Sequence, residues 1–325
     1  MPDRVTAVVV TFNRRSLLEE CVQALLRQTH PLTHIYVVDN ASSDGTAGWV
    51  EQVAAGSAVP IALLRLPDNR GGAGGFAAGV AAARDDEIDW LWLMDDDAAP
   101  RPNTLQLLVQ APPASDPATA CLAPKVVYAS GGIDANQRGH FHRRLRSLPE
   151  SAYVPGQYPT LGYMSFVGTL LRVDAARAID LPRADFFVWG DDVEYSLRLR
   201  RVGEIRLVSE SVMVHKRNTH SHSNRRSRLL GALLPVSLYP TPIENFWQPL
   251  CGLRNYIWMK REYEGQSALS AVGTALQFIA KHLLVDGEPL LRVRWILRFA
   301  WDGRRGRFHN IPPPQWRAMV RPEEV

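Results

Sequence analysis

Apolar residues follow two rhythms along this chain, and the switches between them predict its elements. Val5-Thr-Ala-Val-Val-Val-Thr11 is a β-branched run with no polar face, the pattern of a strand buried on both sides. After Phe12-Asn-Arg-Arg the spacing changes, and Leu17, Leu18, Cys21, Val22, Leu25 and Leu26 recur as one stripe of an amphipathic helix. Strand-like runs return at 34–38, 61–66 and 90–94, separated by polar turns and helical stretches. That order predicts a doubly wound, mostly parallel α/β sheet. Further on, 103–110 predicts a short helix ended by Pro112-Pro113, 121–128 and 168–173 predict strands, 191–203 a helix stopped at Gly203, and 204–214 a strand. Residues 129–160 have no clear period and gather Arg138, His140, His142, Arg143, Arg144 and Arg146; long stretches of that kind are usually functional or mobile. Beyond Pro235 the texture becomes rich in Trp, Leu and Arg, and 244–263, 266–285 and 288–301 predict three helices. The expected division is an α/β domain over 1–228 and a C-terminal helical appendage over 229–325.

Composition changes this picture in three places. A chain of 325 residues, 46% hydrophobic and 22% charged, buries a sizeable core in one large domain plus an appendage. The net charge of +4 is modest, but the excess lies in 216–228 and 292–307, which predicts a phosphate-rich partner or an anionic surface rather than nucleic acid. Cys21, Cys121 and Cys251 are widely spaced and lack metal-site spacing, so they read as reduced, buried residues of a cytoplasmic protein. The first residues show no signal-peptide pattern, and the apolar stretch 268–285 is interrupted by Gln277, Lys281 and His282, as in an amphipathic helix rather than a membrane span.

Candidate chemistry collects where strands end. Trp90-Leu-Trp-Leu-Met runs into Asp95-Asp-Asp97, which puts three carboxylates at the carboxyl end of a buried strand, where open α/β sheets place ligands. Adjacent acids repel unless a cation neutralises them, and hard divalent ions such as Mn²⁺ or Mg²⁺ suit oxygen ligands. The plain alternative is a solvated turn capping the next helix. Asp39 ends its strand in the same way, with an Asx turn or helix cap as its plain alternative. Gly72-Ala-Gly74-Gly-Phe-Ala77 fits the G-x-G-x-x-A dinucleotide pattern, though on the third strand rather than the first. Small residues there equally allow a close backbone approach. Asp191 and Asp192 begin a helix, favoured there by its dipole, and a carboxylate so held is also a candidate general base. His215 ends a strand; its plain alternative is a surface or internally satisfied histidine, and in one site with the acidic triplet it is available as a nitrogen ligand to Mn²⁺. Arg292, Arg294 and Arg298 alternate with Trp and Leu, fitting either an interfacial helix on anionic lipid or a solvated face packed on the core.

Taken together, Val-Val-Thr-Phe-Asn-Arg at the start, Val-Val-Asp39-Asn-Ala-Ser-Ser-Asp-Gly-Thr, Asn69-Arg-Gly-Gly-Ala-Gly-Gly, Met-Asp95-Asp-Asp97 and Trp-Gly-Asp191-Asp192-Val-Glu resemble the family 2 glycosyltransferases over roughly residues 4 to 220. The glycine-rich segment and the Trp-Gly-Asp-Asp box are most similar to bacterial galactofuranosyl- and rhamnosyltransferases. The resemblance implies a GT-A fold, a nucleotide-sugar donor, a Mn²⁺ or Mg²⁺ cofactor and inversion at the anomeric carbon. By matching position it implies donor contacts from Thr11, Phe12, Asn13, Arg14, Asp39, Asn69, Gly72, Gly74, Asp95 and Asp96, with Asp39 accepting from a uracil or thymine ring N–H. It implies metal ligation by Asp95, Asp97 and His215, Asp192 as catalytic base, and an acceptor side at Trp189, Gly190 and Asp191. The expected activity is transfer of a sugar, galactofuranose before rhamnose, to a lipid-linked or polysaccharide acceptor in cell-envelope synthesis, with peripheral contact at the inner membrane face. Basic residues of 216–228, Arg225 and Arg226 among them, are expected to close over the diphosphate as a lid. Two other readings stand beside it: a nucleotide-sugar oxidoreductase using NAD at Gly72 to Ala77, and a non-catalytic glycan-binding protein on the same scaffold.

Overall fold

Strand β1 (Val5–Thr11) is buried at every position, and the sheet grows outward from it on both sides. The computed structural model describes residues 3–142, 144–216 and 240–321. β2 (His34–Asp39) and β3 (Ile61–Arg65) follow on one side of β1 and β4 (Trp90–Asp95) on the other, all parallel. Alternate residues of β1 serve opposite cores. Val8 and Val10 pack with Phe76, Val80 and Leu91, whereas Ala7 and Val9 pack with Leu18, Leu25 and Trp92. Of the helices between these strands, α1 (Arg15–Leu26) falls where the apolar spacing predicts it, and α2 (Thr46–Gly56) and α3 (Gly71–Ala83) fill the expected strand-helix alternation.

The second half of the sheet departs from the expected parallel plan. With β5 (Ala98–Pro100), β6 (Thr119–Tyr128), β10 (Thr169–Arg172) and β11 (Glu204–His215), the order is β3-β2-β1-β4-β10-β6-β11-β5. β10 runs antiparallel to β4 and β6, and β5 antiparallel to β11, so the sheet is mixed. A strand buried on both faces reads the same in either direction, so its apolar run carries no sign of polarity. Within 129–160, where no period is legible, β7 (Arg138–His142) and β8 (Arg144–Ser147) form a short ladder that β9 (Tyr163–Met164) extends. Arg138 of the basic cluster is wholly buried and donates to the carbonyls of Pro124, Gln137, Ser165 and Val167. Short helices α4 (Thr104–Val109), α5 (Val173–Arg177) and α6 (Asp191–Leu199) complete this unit.

The glycines of α3 have a packing reason. A Cβ on Gly75 would lie 2.4 Å from Val10 Cγ1, and one on Gly79 would lie 2.3 Å from Val8 Cγ1, so the helix settles onto β1 at a distance no larger residue allows. At Gly72 a Cβ would meet open space, and at Gly74 it would meet only Arg70.

A second compact unit takes in Asp185–Gly190 together with the C-terminal helices α7 (Trp247–Glu264), α8 (Ala268–Val285), α9 (Pro289–Arg305) and α10 (Pro313–Val320). Its core is Phe246, Leu250, Trp295, Phe299 and Trp316. The expected boundary at 228/229 and the lid residues Arg225 and Arg226 lie outside the described residues. Helix α10 is absent from the sequence reading, because eight residues opened by two prolines show too little periodicity to score. Cys21, Cys121 and Cys251 are buried and unpaired, as expected. Among the described residues no helix is long and apolar enough to cross a membrane.

Candidate active site

Three adjacent parallel strands end together, and their last residues are polar. Register pairs Thr11 with Asp39 and Val10 with Asp95, beside the point where the strand order turns from β1 to β4. Ligands of open α/β sheets bind at such a switch point. Buried Thr11 donates through Oγ1 to Asp96 Oδ2 at 2.8 Å, and Arg14 Nη1 reaches Asp96 Oδ1 at 3.3 Å and Asp97 Oδ2 at 3.2 Å. Arg14 comes from the turn after β1, where Asn13 has φ 50° and its side-chain oxygen accepts from Ser43 N at 2.8 Å. Phe12 is 38% exposed on the same turn.

Backbone pairing explains how His215 joins the acids. β5 follows Asp97 at once and pairs with the end of β11, setting Ala98 opposite His215, while Lys216 N donates to Asp97 O at 2.7 Å. His215 Nε2 thereby lies 3.4 Å from Asp97 Oδ1, and its Nδ1 donates to Asp134 Oδ2 at 3.1 Å. Asp134 also accepts from Tyr128 Oη at 2.9 Å and from Gln137 Nε2 at 2.8 Å; against the effect of burial, the bonds from His215, Gln137 and Tyr128 together hold its carboxyl down at about 2. Burial works against a charged imidazole, but Asp134 and Asp97 outweigh it and hold His215 up at about 9.

The triplet is a site of crowded negative charge. Burial, then Asp97 and Asp96, push Asp95 up to about 8, with His215 and Arg14 opposing. Burial lifts Asp96 to about 6 against Arg14 and the Thr11 hydroxyl. Carboxylates with an imidazole oriented by a second carboxylate are a donor set that suits Mn²⁺ and resembles the outer shell of known metal sites. Among the described residues no three His, Cys, Asp or Glu side chains converge as a ready-made cage. Asp97 and His215 are neighbours, but with Asp95 they do not form a three-ligand cluster among the described residues; hard divalent ions commonly take further ligands from substrate oxygens.

Asp39 is fully buried; its Oδ1 accepts from Ser42 N at 2.9 Å, and its Oδ2 has Arg65 Nε at 3.8 Å and no hydrogen-bond donor. A buried carboxylate oxygen of that kind is an acceptor for a ligand N–H. Asn69 Oδ1 accepts from Gly71 N at 2.8 Å and so shapes the start of α3.

Asp191 and Asp192 open α6 in the same unit. Burial, then Asp192, raise Asp191 well above the usual carboxylate range, with Asp95 adding to the effect. Burial raises Asp192 to about 6, opposed by the Val193 N–H at 2.7 Å and by Arg138. Trp189 and Gly190 belong to the second unit. There Asn255 Nδ2 donates to the carbonyls of Phe186, Val188 and Trp189 at 3.1, 3.2 and 2.8 Å, and Phe187, Trp189 and Gly190 all have positive φ. For bulky aromatic residues that backbone stores strain, which the Asn255 bonds hold in place.

Sequence reasoning missed Asp134 and Asn255. Asp134 follows Gly131-Gly132, both with positive φ, just past the end of β6, and an acid behind such a reversal is the available signal. Asn255 is a fully buried amide in a helix of Trp, Leu and Arg, where a polar residue implies backbone partners.

Residues 6–180, more than half of the chain, match the family model described as Glycosyl transferase family 2. The chain belongs to glycosyl transferase family 2. It is 36% identical over 210 residues to galactofuranosyltransferase GlfT1 of Mycolicibacterium smegmatis, covering 61% of this chain and 66% of that protein. Against GlfT1 of Mycobacterium tuberculosis the identity is 34% over 210 residues, with 62% and 66% covered. The chain thus spans a little under two thirds of these relatives' length. Among solved structures, GalNAc-T7 with UDP, GalNAc and Mn²⁺ superposes with a TM-score of 0.57 at 16% identity over 94% of this chain and 58% of that one. The Pyrobaculum calidifontis mannosyltransferase PcManGT, with GDP-Man and Mn²⁺, gives 0.52 at 16% identity over 98% and 80%. The fold is the GT-A fold. The dinucleotide reading of Gly72 to Ala77 gives way with it, since those residues lie inside α3 and its closest-packed glycines press on β1.

Proposed function

We propose that this chain is an inverting, metal-dependent glycosyltransferase moving galactofuranose from a UDP donor to a hydroxyl of a lipid-linked or polysaccharide acceptor during cell-envelope synthesis. The catalytic part is 1–228 and the helical part 229–325. It works in the cytoplasm, peripherally at the inner membrane face, where a lipid-linked acceptor presents its glycan. The observation that carries the reading is His215 held between Asp97 and Asp134 at the end of the strands that also present Thr11, Asp39 and Asp95. The GlfT1 relatives support the choice of sugar.

Asp39 receives the ring N–H of the base through its Oδ2. Arg14 and Thr11 hold Asp96 beside the ribose and diphosphate, and the turn 12–14 closes that edge. Asp95, Asp97 and His215 would hold Mn²⁺ or Mg²⁺, which supplies Lewis-acid stabilisation of the charge that builds on the departing diphosphate. Asp192 takes the proton of the acceptor hydroxyl as its oxygen attacks the anomeric carbon from the face opposite the leaving group. One in-line displacement leaves the configuration inverted, and Asp192 then gives its proton to solvent. A positioned carboxylate base contributes about 10²–10⁴-fold.

Thermal unfolding with UDP, dTDP, GDP and NAD, each with and without Mn²⁺, tests the reading. UDP with Mn²⁺ at about 100 times its dissociation constant is expected to stabilise by about 2.7 kcal/mol. A shift with dTDP alone turns the donor to dTDP-rhamnose, because a thymine offers Asp39 the same N–H. A shift with NAD that ignores the metal sinks the transferase mechanism.

A further inference from the structure

Helices α8 and α9 leave large apolar side chains in solvent along single stripes. On α8 they are Leu269, Val272, Leu276 and Leu283, with Leu269 80% exposed, and their spacing repeats one helical face. On α9 they are Leu290, Leu297 and Trp301, with Leu290 86% exposed. Exposed Arg294, Arg298 and Arg305 share that stripe of α9, and the Arg305 guanidinium lies 4.4 Å over the Trp301 ring. Contrary to the sequence expectation, Arg292 is not part of the face. It is 2% exposed and bound inward, to Asp286 at 3.4 Å and to the carbonyls of Thr241 and Gly287.

We infer that the exposed stripes of α8 and α9 dock this chain onto an anionic lipid surface. Helix α8 contains no acid, and α9 contains five arginines and the single half-buried acid Asp302. A two-fold contact between copies would bring those arginines against their own symmetry mates. Anionic headgroups instead pair with the guanidinium groups while leucine and tryptophan enter the acyl boundary, the arrangement of an in-plane amphipathic helix. The inference shares with the proposed function only the membrane location, and lipid binding is measured without donor or metal.

The test is co-sedimentation of the full chain with vesicles of phosphatidylcholine alone and of equimolar phosphatidylcholine and phosphatidylglycerol. Binding is expected to be at least about tenfold tighter to the anionic vesicles. The combined variant Leu269→Gln, Leu276→Gln, Leu290→Gln, Leu297→Gln and the pair Arg294→Gln, Arg298→Gln are each expected to lose about tenfold or more. All six positions are exposed, so the unfolding midpoint and the UDP shift should persist in both variants. Equal binding to the two vesicle types, binding indifferent to the substitutions, or a dimer in solution that the leucine variant dissociates would each overturn the inference. Vesicle binding by a chain that shows no UDP shift leaves it standing and removes only the catalytic reading.

Discussion

Asp95, Asp96 and Asp97 leave the end of a central strand with Arg14 and His215 drawn against them, whereas Asp191 and Asp192 open a helix with no ion pair among the described residues. Both clusters are acids crowded and buried, yet their surroundings give them different capacities. The first has its charge offset by the side chains of Arg14 and His215. The second is offset only by backbone N–H groups and by the deeper Arg138, so burial holds Asp191 well above the usual carboxylate range and Asp192 at about 6. Identical residue types are thus set in different electrostatic surroundings by what packs around them.

The sharpest way to break this contrast is Asp192→Asn. Turnover is expected to fall by about 10³-fold while UDP with Mn²⁺ still raises the unfolding midpoint; loss of both together would place Asp192 with the donor acids. A smaller effect belongs to Asp134→Asn, which weakens the hold on His215 Nδ1. It should lower Mn²⁺ affinity by about 10–100-fold, measured as the Mn²⁺ concentration needed for the UDP shift, with kcat at saturating metal close to that of the parent.

Next in size is the pH dependence of kcat/KM. The base must be ionised, and Asp192 is raised to about 6, so its active form is present above that value and is lost as pH falls through it. Below about pH 6 the rate should drop about tenfold per unit. A profile flat down to the ordinary carboxylate range would show that Asp192 carries no essential charge. The smallest effect is expected of Asp191→Asn. Burial raises Asp191 well above the usual carboxylate range, so this change is expected to move the acid limb by only about a few tenths of a pH unit, and a shift above about one unit would reverse the roles of the two acids.

The first half of the fold is plain in the sequence because β1 and β4 are doubly buried apolar runs and α1 has a distinct stripe. Direction in the second half is not, since β10 looks the same parallel or antiparallel. In the site, Asp39, Asp95 and Asp97 are legible as acids placed at strand ends. The link from Asp97 to His215 depends on a three-residue strand, too short to show any period. Asp134 is hidden for a different reason: it sits past a glycine reversal in the stretch with no pattern, and only the pairing of β6 with β11 brings it to the imidazole. In the helical region periodicity locates the helices but cannot say which arginine turns inward. Arg292 and Arg294 differ by two positions, which on a helix means opposite sides.

The bridge between β5 and β11 also bears on how the protein is made. Asp95, Asp97 and their strand leave the ribosome early, but the imidazole that completes the cluster arrives only with the last residues of β11. Until then the acids stand at the edge of an unfinished sheet without their partner, and contacts so distant in sequence form late. Nascent chains stalled before His215 should therefore lack the contact between Asp97, His215 and Asp134, which forms in one step when β11 closes the sheet.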